Sequence, residues 1–302
     1  MSITSSADLV HWSKPKVVMH PDAGHWYQQL FWAPEIFPYQ GKFYLTFNCP
    51  ANGAAPISKG VPFPQSVALA VAEAITGPYT VMTKDRPLIA GNDGTLFLDA
   101  DGRVYLYRND NPSGIQGIEI DLRKGRTLGD SFDCIPAGGP SDWDGGPKVD
   151  VEGPSIFLRS GTYYLIYSSW RRGYEVGYAT AKGPRGPWTK YSGNPIYGAQ
   201  DPERCTLFNG TYTQSADVPF GQVGHGSPFF GPDGRIWFCS HGIEQKGKGR
   251  DTEPHLVITP MDFQPDGSLA MTLTWTPQRI PIPASVADST WRDSGTPASE
   301  TP

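Results

Sequence analysis

An all-β fold, built from a repeated sheet centred on a hairpin, is what this sequence predicts, and three observations predict it. Glycine and proline account for 35 and 30 of the 302 residues beside 12 % aromatics, which suits many short strands and tight turns better than helices. Runs rich in β-branched and aromatic residues come in pairs joined by a glycine turn. The pairs recur, with turn glycines at Gly41, Gly102, Gly161 and Gly234, roughly 60–70 residues apart.

Taken in order, the chain opens with Asp8-Leu9-Val10-His11-Trp12, which matches only the outer end of a unit. Residues 1–20 therefore read as the remnant of a first blade. Trp32-Ala33-Pro34-Glu35-Ile36-Phe37 then leads through Gly41 to Phe43-Tyr44-Leu45-Thr46-Phe47. The run from Val67 to Ala74 and the turn Gly77-Pro78-Tyr79 close that unit. The second unit runs from Gly94-Thr95-Leu96-Phe97-Leu98 through Asp101-Gly102 to Val104-Tyr105-Leu106-Tyr107, and Asp-Gly between apolar runs is a strong hairpin signal. The third holds Val151-Glu152-Gly153-Pro154 and a turn at Gly161, followed by the run Tyr174–Ala181 and Gly186-Pro187-Trp188. In the fourth, Gly226-Ser227-Pro228-Phe229-Phe230 passes through Asp233-Gly234 to Ile236-Trp237-Phe238-Cys239.

About four strands per ~60-residue unit is the blade of a β-propeller, in which radial repetition protects the sheet edges. The period exceeds the ~40–50 residues of WD40 and kelch blades. The expectation is one propeller domain over 1–282, with four complete blades and an incomplete N-terminal one. Residues 283–302 are polar and rich in Pro, Ser and Thr, and read as a disordered tail or linker.

Charge excludes some partners. With 25 Lys+Arg against 30 Asp+Glu, the net charge of −5 argues against nucleic acid or an anionic membrane. No run is long and apolar enough to cross a bilayer. Met1–Ser6 lacks the basic start and apolar middle of a signal peptide. Cys49, Cys134, Cys205 and Cys239 are scattered without metal-site spacing and read as ordinary buried thiols.

Glu152 stands out because Gly153 and Pro154 mark a strand start, where a rigid sheet aims a side chain. Together with Asp8–Trp12, Trp32-Ala33-Pro34-Glu35, Asp93 ahead of Asp101-Gly102, and Gly224-His225-Gly226-Ser227, it makes the chain resemble glycoside hydrolase family 43. The resemblance covers most of residues 6–280 and implies a five-bladed β-propeller acting on oligo- or polysaccharides that contain arabinose or xylose. It implies hydrolysis of α-L-arabinofuranosyl or β-D-xylosyl linkages by an inverting mechanism, in which an acid and a water-activating carboxylate stand ~6.5–9.5 Å apart. The pocket would lie on the propeller axis.

By that resemblance Glu152 is the general acid, its pKa raised by burial beside a second carboxylate. Asp93 is the orienting carboxylate, although Gly94 stands where the family usually has Pro. His225 matches a histidine near the axis that helps bind a cation, a structural calcium, or an ordered water. Trp32 offers a wall for a sugar ring, and Arg171 and Arg172 could reach a sugar hydroxyl. No cofactor is otherwise required. Plainer readings stand beside each of these. Glu152 could form a strand-end salt bridge, Asp93 an Asn-Asp-Gly turn, Trp32 core packing, His225 a simple hydrogen bond, and the two arginines a solvated loop. The family's general base lies upstream of where this sequence starts, and Asp150, Asp22 and Asp201 are the substitutes considered. The alternative to an enzyme is a carbohydrate-binding propeller without catalysis, and an extracellular or periplasmic location would follow from a signal peptide further upstream.

Overall fold

The computed structural model describes residues 1–273, except 8, 10, 51–64, 111–112, 137, 140–141, 146–150, 208–210, 214–219, 232–233 and 247–248. Its regular structure is almost wholly strand. A short ribbon comes first, β1 (Ser2–Ile3) against β2 (Lys16–Val17). Four larger antiparallel sheets follow, one for each repeat unit expected from the sequence.

The first sheet holds β3 (Trp32–Tyr39), β4 (Lys42–Pro50), β5 (Gln65–Ala72) and β6 (Thr80–Val81) in that order, with β7 (Ile89–Ala90) also pairing β5. The second holds β8 (Asn92–Leu98), β9 (Val104–Asp110), β10 (Gly114–Asp121) and β11 (Arg126–Ile135). The third holds β12 (Val151–Arg159), β13 (Thr162–Ser169), β14 (Gly173–Ala181) and β15 (Thr189–Lys190), with β16 (Tyr197–Gln200) also on β14. A six-residue helix, α1 (Pro202–Leu207), precedes the fourth sheet, formed by β17 (Phe220–Phe230), β18 (Ile236–Lys246) and β19 (Gly249–Pro260).

That last sheet departs from the expectation of four complete blades. Among the described residues it has three strands, and β20 (Asp262–Phe263) with β21 (Leu269–Ala270) forms a ribbon of its own. Met261 and Leu269 still bury their side chains with Phe238, so the ribbon adds to the core without joining the ladder. The N-terminal ribbon β1–β2 likewise is not a blade-sized sheet.

The inner hairpins turn as the glycine spacing predicts. Gln40-Gly41 and Ser160-Gly161 both adopt left-handed backbone, with φ of 51° and 74°, and of 46° and 70°. Two such residues match the right-handed twist of the flanking strands.

At the other end of the inner strands the local geometry is one that residue order does not show. β3 and β12 break register near their start, between Trp32 and Glu35 and between Glu152 and Ser155, and β17 breaks register in its middle, between Gly224 and Ser227. Within each break sits one left-handed residue, Ala33 (φ 46°), Gly153 (φ 59°) or His225 (φ 48°), and Asp93 of β8 has the same backbone sense (φ 56°). A bulge of this kind bends the strand and re-aims its side chains.

The described residues divide into two compact units, Met1–Leu96 with Asp121–Thr127, and Phe97–Ile120 with residues 128–273. The first has its core around Leu45, Phe47, Ala68, Tyr79 and Val81. The second has two cores, one around Tyr105, Tyr107, Leu165 and Tyr167, the other around Ile166, Tyr178 and Phe238. Phe47, Leu106 and Leu165 are almost wholly removed from water, and each side chain of this size contributes roughly 1.5–3 kcal/mol. All four cysteines are free thiols, and burial pushes Cys49 and Cys134 up to about 12. No described helix is long and apolar enough to cross a membrane.

Candidate active site

In the first unit the site residues gather where β3 and β4 meet the start of β8. Trp32 heads β3 directly opposite Asn48, and the residue is 44 % exposed, so it is not core packing. Asn48 is fully buried, and its Oδ1 accepts the backbone N–H of Asp93 (3.1 Å) while its Nδ2 donates to Gln65 Oε1 (2.9 Å). Thr46 Oγ1 donates to the carbonyl of Gly94 (2.6 Å), and Thr95 Oγ1 to Glu35 Oε1 (2.6 Å). Asp93 is buried, and its left-handed backbone is held by the hydrogen bonds on either side of it. Asp93 thus lies within a strand rather than in a free Asn-Asp-Gly turn.

In the second unit Glu152 heads β12 opposite Ser168 of β13. Its carboxylate Oε1 accepts a hydrogen bond from the Tyr174 hydroxyl and lies 3.8 Å from His225 Nδ1. The Tyr174 oxygen is 3.5 Å from that same nitrogen. His225 in turn is fixed by its backbone, whose N–H donates to Ser168 Oγ (2.9 Å). His241 meets the Tyr174 ring edge-on, with centroids 5.0 Å apart.

Two glycines make room for this cluster. A Cβ at Gly153 would come 2.9 Å from the His225 ring, and the left-handed φ there already disfavours any side chain. A Cβ at Gly224 would overlap the Tyr174 ring.

The electrostatics differ from the sequence expectation. Burial alone would push the Glu152 carboxyl up, but the His225 imidazole beside it, the hydrogen bond from Tyr174 and the His241 imidazole outweigh it and hold the group below its ordinary value. His241 is pushed down by burial and by the neighbouring His225. The resting cluster therefore favours an ionised Glu152, whereas the sequence reading expected a raised pKa.

The arginines beside this corner have backbone and acidic partners. Arg171 is buried, its guanidinium donating to the carbonyl of Gly145 and its backbone N–H to Ser169 Oγ (3.3 Å). Arg172 forms a two-point pair with the buried Glu175 (2.8 and 3.1 Å). Of the substitutes for a general base, Asp22 is exposed and pairs with His25 (2.9 Å). Asp201 caps helix α1 by accepting the N–H of Glu203 (2.9 Å), and Asp150 lies outside the described residues.

Sequence reading missed Tyr174, His241, Ser168 and Asn48. The strand registers supply the signal it lacked. Trp32, Asn48 and Val67 lie across the first sheet as Glu152, Ser168 and Val176 lie across the third, so Gln65 and Tyr174 occupy the same place in the first and third repeats. A polar residue in one repeat and a hydroxylated ring in the other marks that place as specialised.

Known proteins resemble this chain over most of its length. The profile described as Glycosyl hydrolases family 43 matches residues 1–269. The extracellular endo-alpha-(1->5)-L-arabinanase 2 of Bacillus subtilis is 26 % identical over 189 residues, 55 % of this chain and 37 % of that protein. The extracellular endo-alpha-(1->5)-L-arabinanase of Thermotoga petrophila is 22 % identical over 326 residues, 90 % of this chain and 66 % of that protein. The chain thus spans less than two thirds of the length of these curated relatives. Among solved structures, a thermostable family-43 glycoside hydrolase aligns with a TM-score of 0.70 at 26 % identity, covering 93 % of this chain and 87 % of that one. An endo-1,4-beta-xylanase from Bacteroides thetaiotaomicron aligns with a TM-score of 0.67 at 27 % identity, covering 90 % and 84 %. The fold is all-β of the β-propeller class, with four blade sheets.

Proposed function

Because this chain belongs to glycosyl hydrolases family 43, we propose that it hydrolyses arabinan- or xylan-type polysaccharides at α-L-arabinofuranosyl or β-D-xylosyl linkages, with inversion. The observation that carries this reading is the Glu152 corner. A carboxylate at a bulged strand head, gripped by a tyrosine and beside a histidine, is built to meet one ligand atom in one orientation.

In this reading Glu152 protonates the leaving oxygen, while a general-base carboxylate takes the proton of the attacking water. Its side chain is 21 % exposed, so a sugar seated over it removes the remaining water. That desolvation favours the neutral carboxylic acid the step needs. Asp93 serves as the mechanism's orienting carboxylate, as the family pattern implies, and the exposed Trp32 ring lies against a sugar face. His225 would meet a hydrated calcium through its water shell, since calcium takes oxygen ligands; metal analysis of the purified protein tests this. An incomplete fifth blade formed by residues 1–20 and an extracellular or periplasmic site of action belong to the same proposal.

The test is turnover of arabino- and xylo-oligosaccharides, whose leaving oxygens need a proton, by the parent and by Glu152→Gln. Loss of activity in the variant, with product anomers inverted in the parent, is the expected result. Equal rates would remove Glu152 from the mechanism, and a parent inert on both sugars would end this functional reading.

A further inference from the structure

We propose that Tyr174 is a positioning residue that holds the Glu152 carboxylate through its Oε1 atom, so that the free Oε2 faces the leaving group. The inference rests on the functional reading above, and three observations within the second unit, with one repeat comparison from the first, carry it. The Tyr174 hydroxyl donates to Oε1, whereas the nearest His225 nitrogen is 3.8 Å from that oxygen and at the edge of ion-pair range. Tyrosine is therefore the closer tether. The ring that carries the hydroxyl is confined, with His241 at its edge and Gly224 leaving no room for a side chain beneath it. Its backbone is anchored by the Arg172–Glu175 pair, which brackets it in sequence, and by its register with Ala199 on β16. Finally, the equivalent place in the first sheet is Gln65, whose Oε1 accepts from Asn48. The repeat position is thus occupied in both sheets by a group bonded to a residue at the strand-head corner, and in the third sheet it bonds the carboxylate itself.

A hydrogen bond to a carboxylate is stronger than one between neutral groups and fixes direction. Long side chains such as glutamate otherwise sample several rotamers. Holding Oε1 leaves one oxygen to carry the proton, at one place. The tether acts only through Glu152, so its loss should show where the proton matters.

Tyr174→Phe keeps the ring and removes only the hydroxyl. Nitrophenyl glycosides leave without a proton, whereas methyl glycosides or oligosaccharides require one. With parent and Y174F compared on both, we expect kcat to fall about tenfold on the poor leaving groups. KM should be unchanged, and rates on the nitrophenyl glycosides should stay within about twofold. In the Glu152→Gln background the same change should have no further effect. An equal loss on both substrate types, or none on either, overturns the proposal.

If the parent hydrolyses neither substrate, the functional reading fails and crystal structures of the parent and Y174F decide the tether separately. A Glu152 carboxylate displaced in Y174F upholds it, and one left in place overturns it.

Discussion

Asp93 and Glu152 each sit at the head of an inner strand, one in each compact unit, yet the backbone treats them differently. Asp93 itself adopts the left-handed conformation, with φ of 56°, while Glu152 is extended and hands that conformation to Gly153. The first arrangement puts the strain on the functional residue and holds it with Asn48 and Thr46. The second puts it on a glycine, which bears it at little cost, and leaves the carboxylate to be gripped through its side chain by Tyr174. A residue placed by its backbone is set by the sheet. One placed by its side chain can be retuned by a single substitution nearby.

The sharpest way to break this comparison is to neutralise both carboxylates. Glu152→Gln should lower kcat on oligosaccharides by about 10²–10⁴, as expected for a lost general acid. Asp93→Asn should fall short of that, at about 10² or less, because it acts through another group. Steady-state rates on arabino- and xylo-oligosaccharides decide the ranking, and a larger loss at Asp93 would reverse the assignments.

Backbone substitutions probe the bulges directly. Gly153→Ala meets both the left-handed φ and the His225 ring, and should destabilise by about 2 kcal/mol. Ala33→Gly occupies the equivalent bulge of β3 and should have the opposite sign, stabilising by up to about 1 kcal/mol as left-handed strain is relieved. Urea titrations of the two variants check the signs, and matching signs would mean the bulges are not equivalent.

The supporting acceptors should matter less. Asn48→Ala and Ser168→Ala each remove the partner of a backbone N–H, from Asp93 and His225 respectively, and should cost about 1–2 kcal/mol. Asn48 should cost more, because Gln65 loses its donor too. Melting curves of the pair read the difference.

The smallest effect expected is on acid stability. Glu152 is held below its ordinary pKa in the folded chain, so the unfolded chain binds its proton first as pH falls. Its contribution is present above the ordinary glutamate value of ~4.3 and lost as pH drops through the lower folded value. Denaturation between about pH 5 and pH 3 should therefore be steeper in the parent than in Glu152→Gln. Identical slopes would show that the carboxylate is not stabilised by His225 and Tyr174.

Much of this was open to reading from residue order. The glycine turns and paired apolar runs located all four sheets, and Glu152, Asp93 and Trp32 each stand at or near a strand head, whereas His225 lies midway along β17. Hairpin chemistry is local, and a turn such as Ser160-Gly161 needs no distant partner to declare itself. The direction of the Glu152 pKa was not legible in the same way. It depends on Tyr174 and His225, 22 and 73 positions away, whose approach requires the third and fourth sheets to be formed.

By itself, then, the sequence determined the strand repeat, its turns and which residues stand where strands begin, because these follow from neighbours a few positions apart. Only the tertiary structure decided that Arg171 is buried against Gly145, that Tyr174 grips Glu152, and that the fourth sheet has three strands among the described residues. Those outcomes turn on which side chains compete for the same buried space, and hydrogen bonds across that space join positions that no local pattern links.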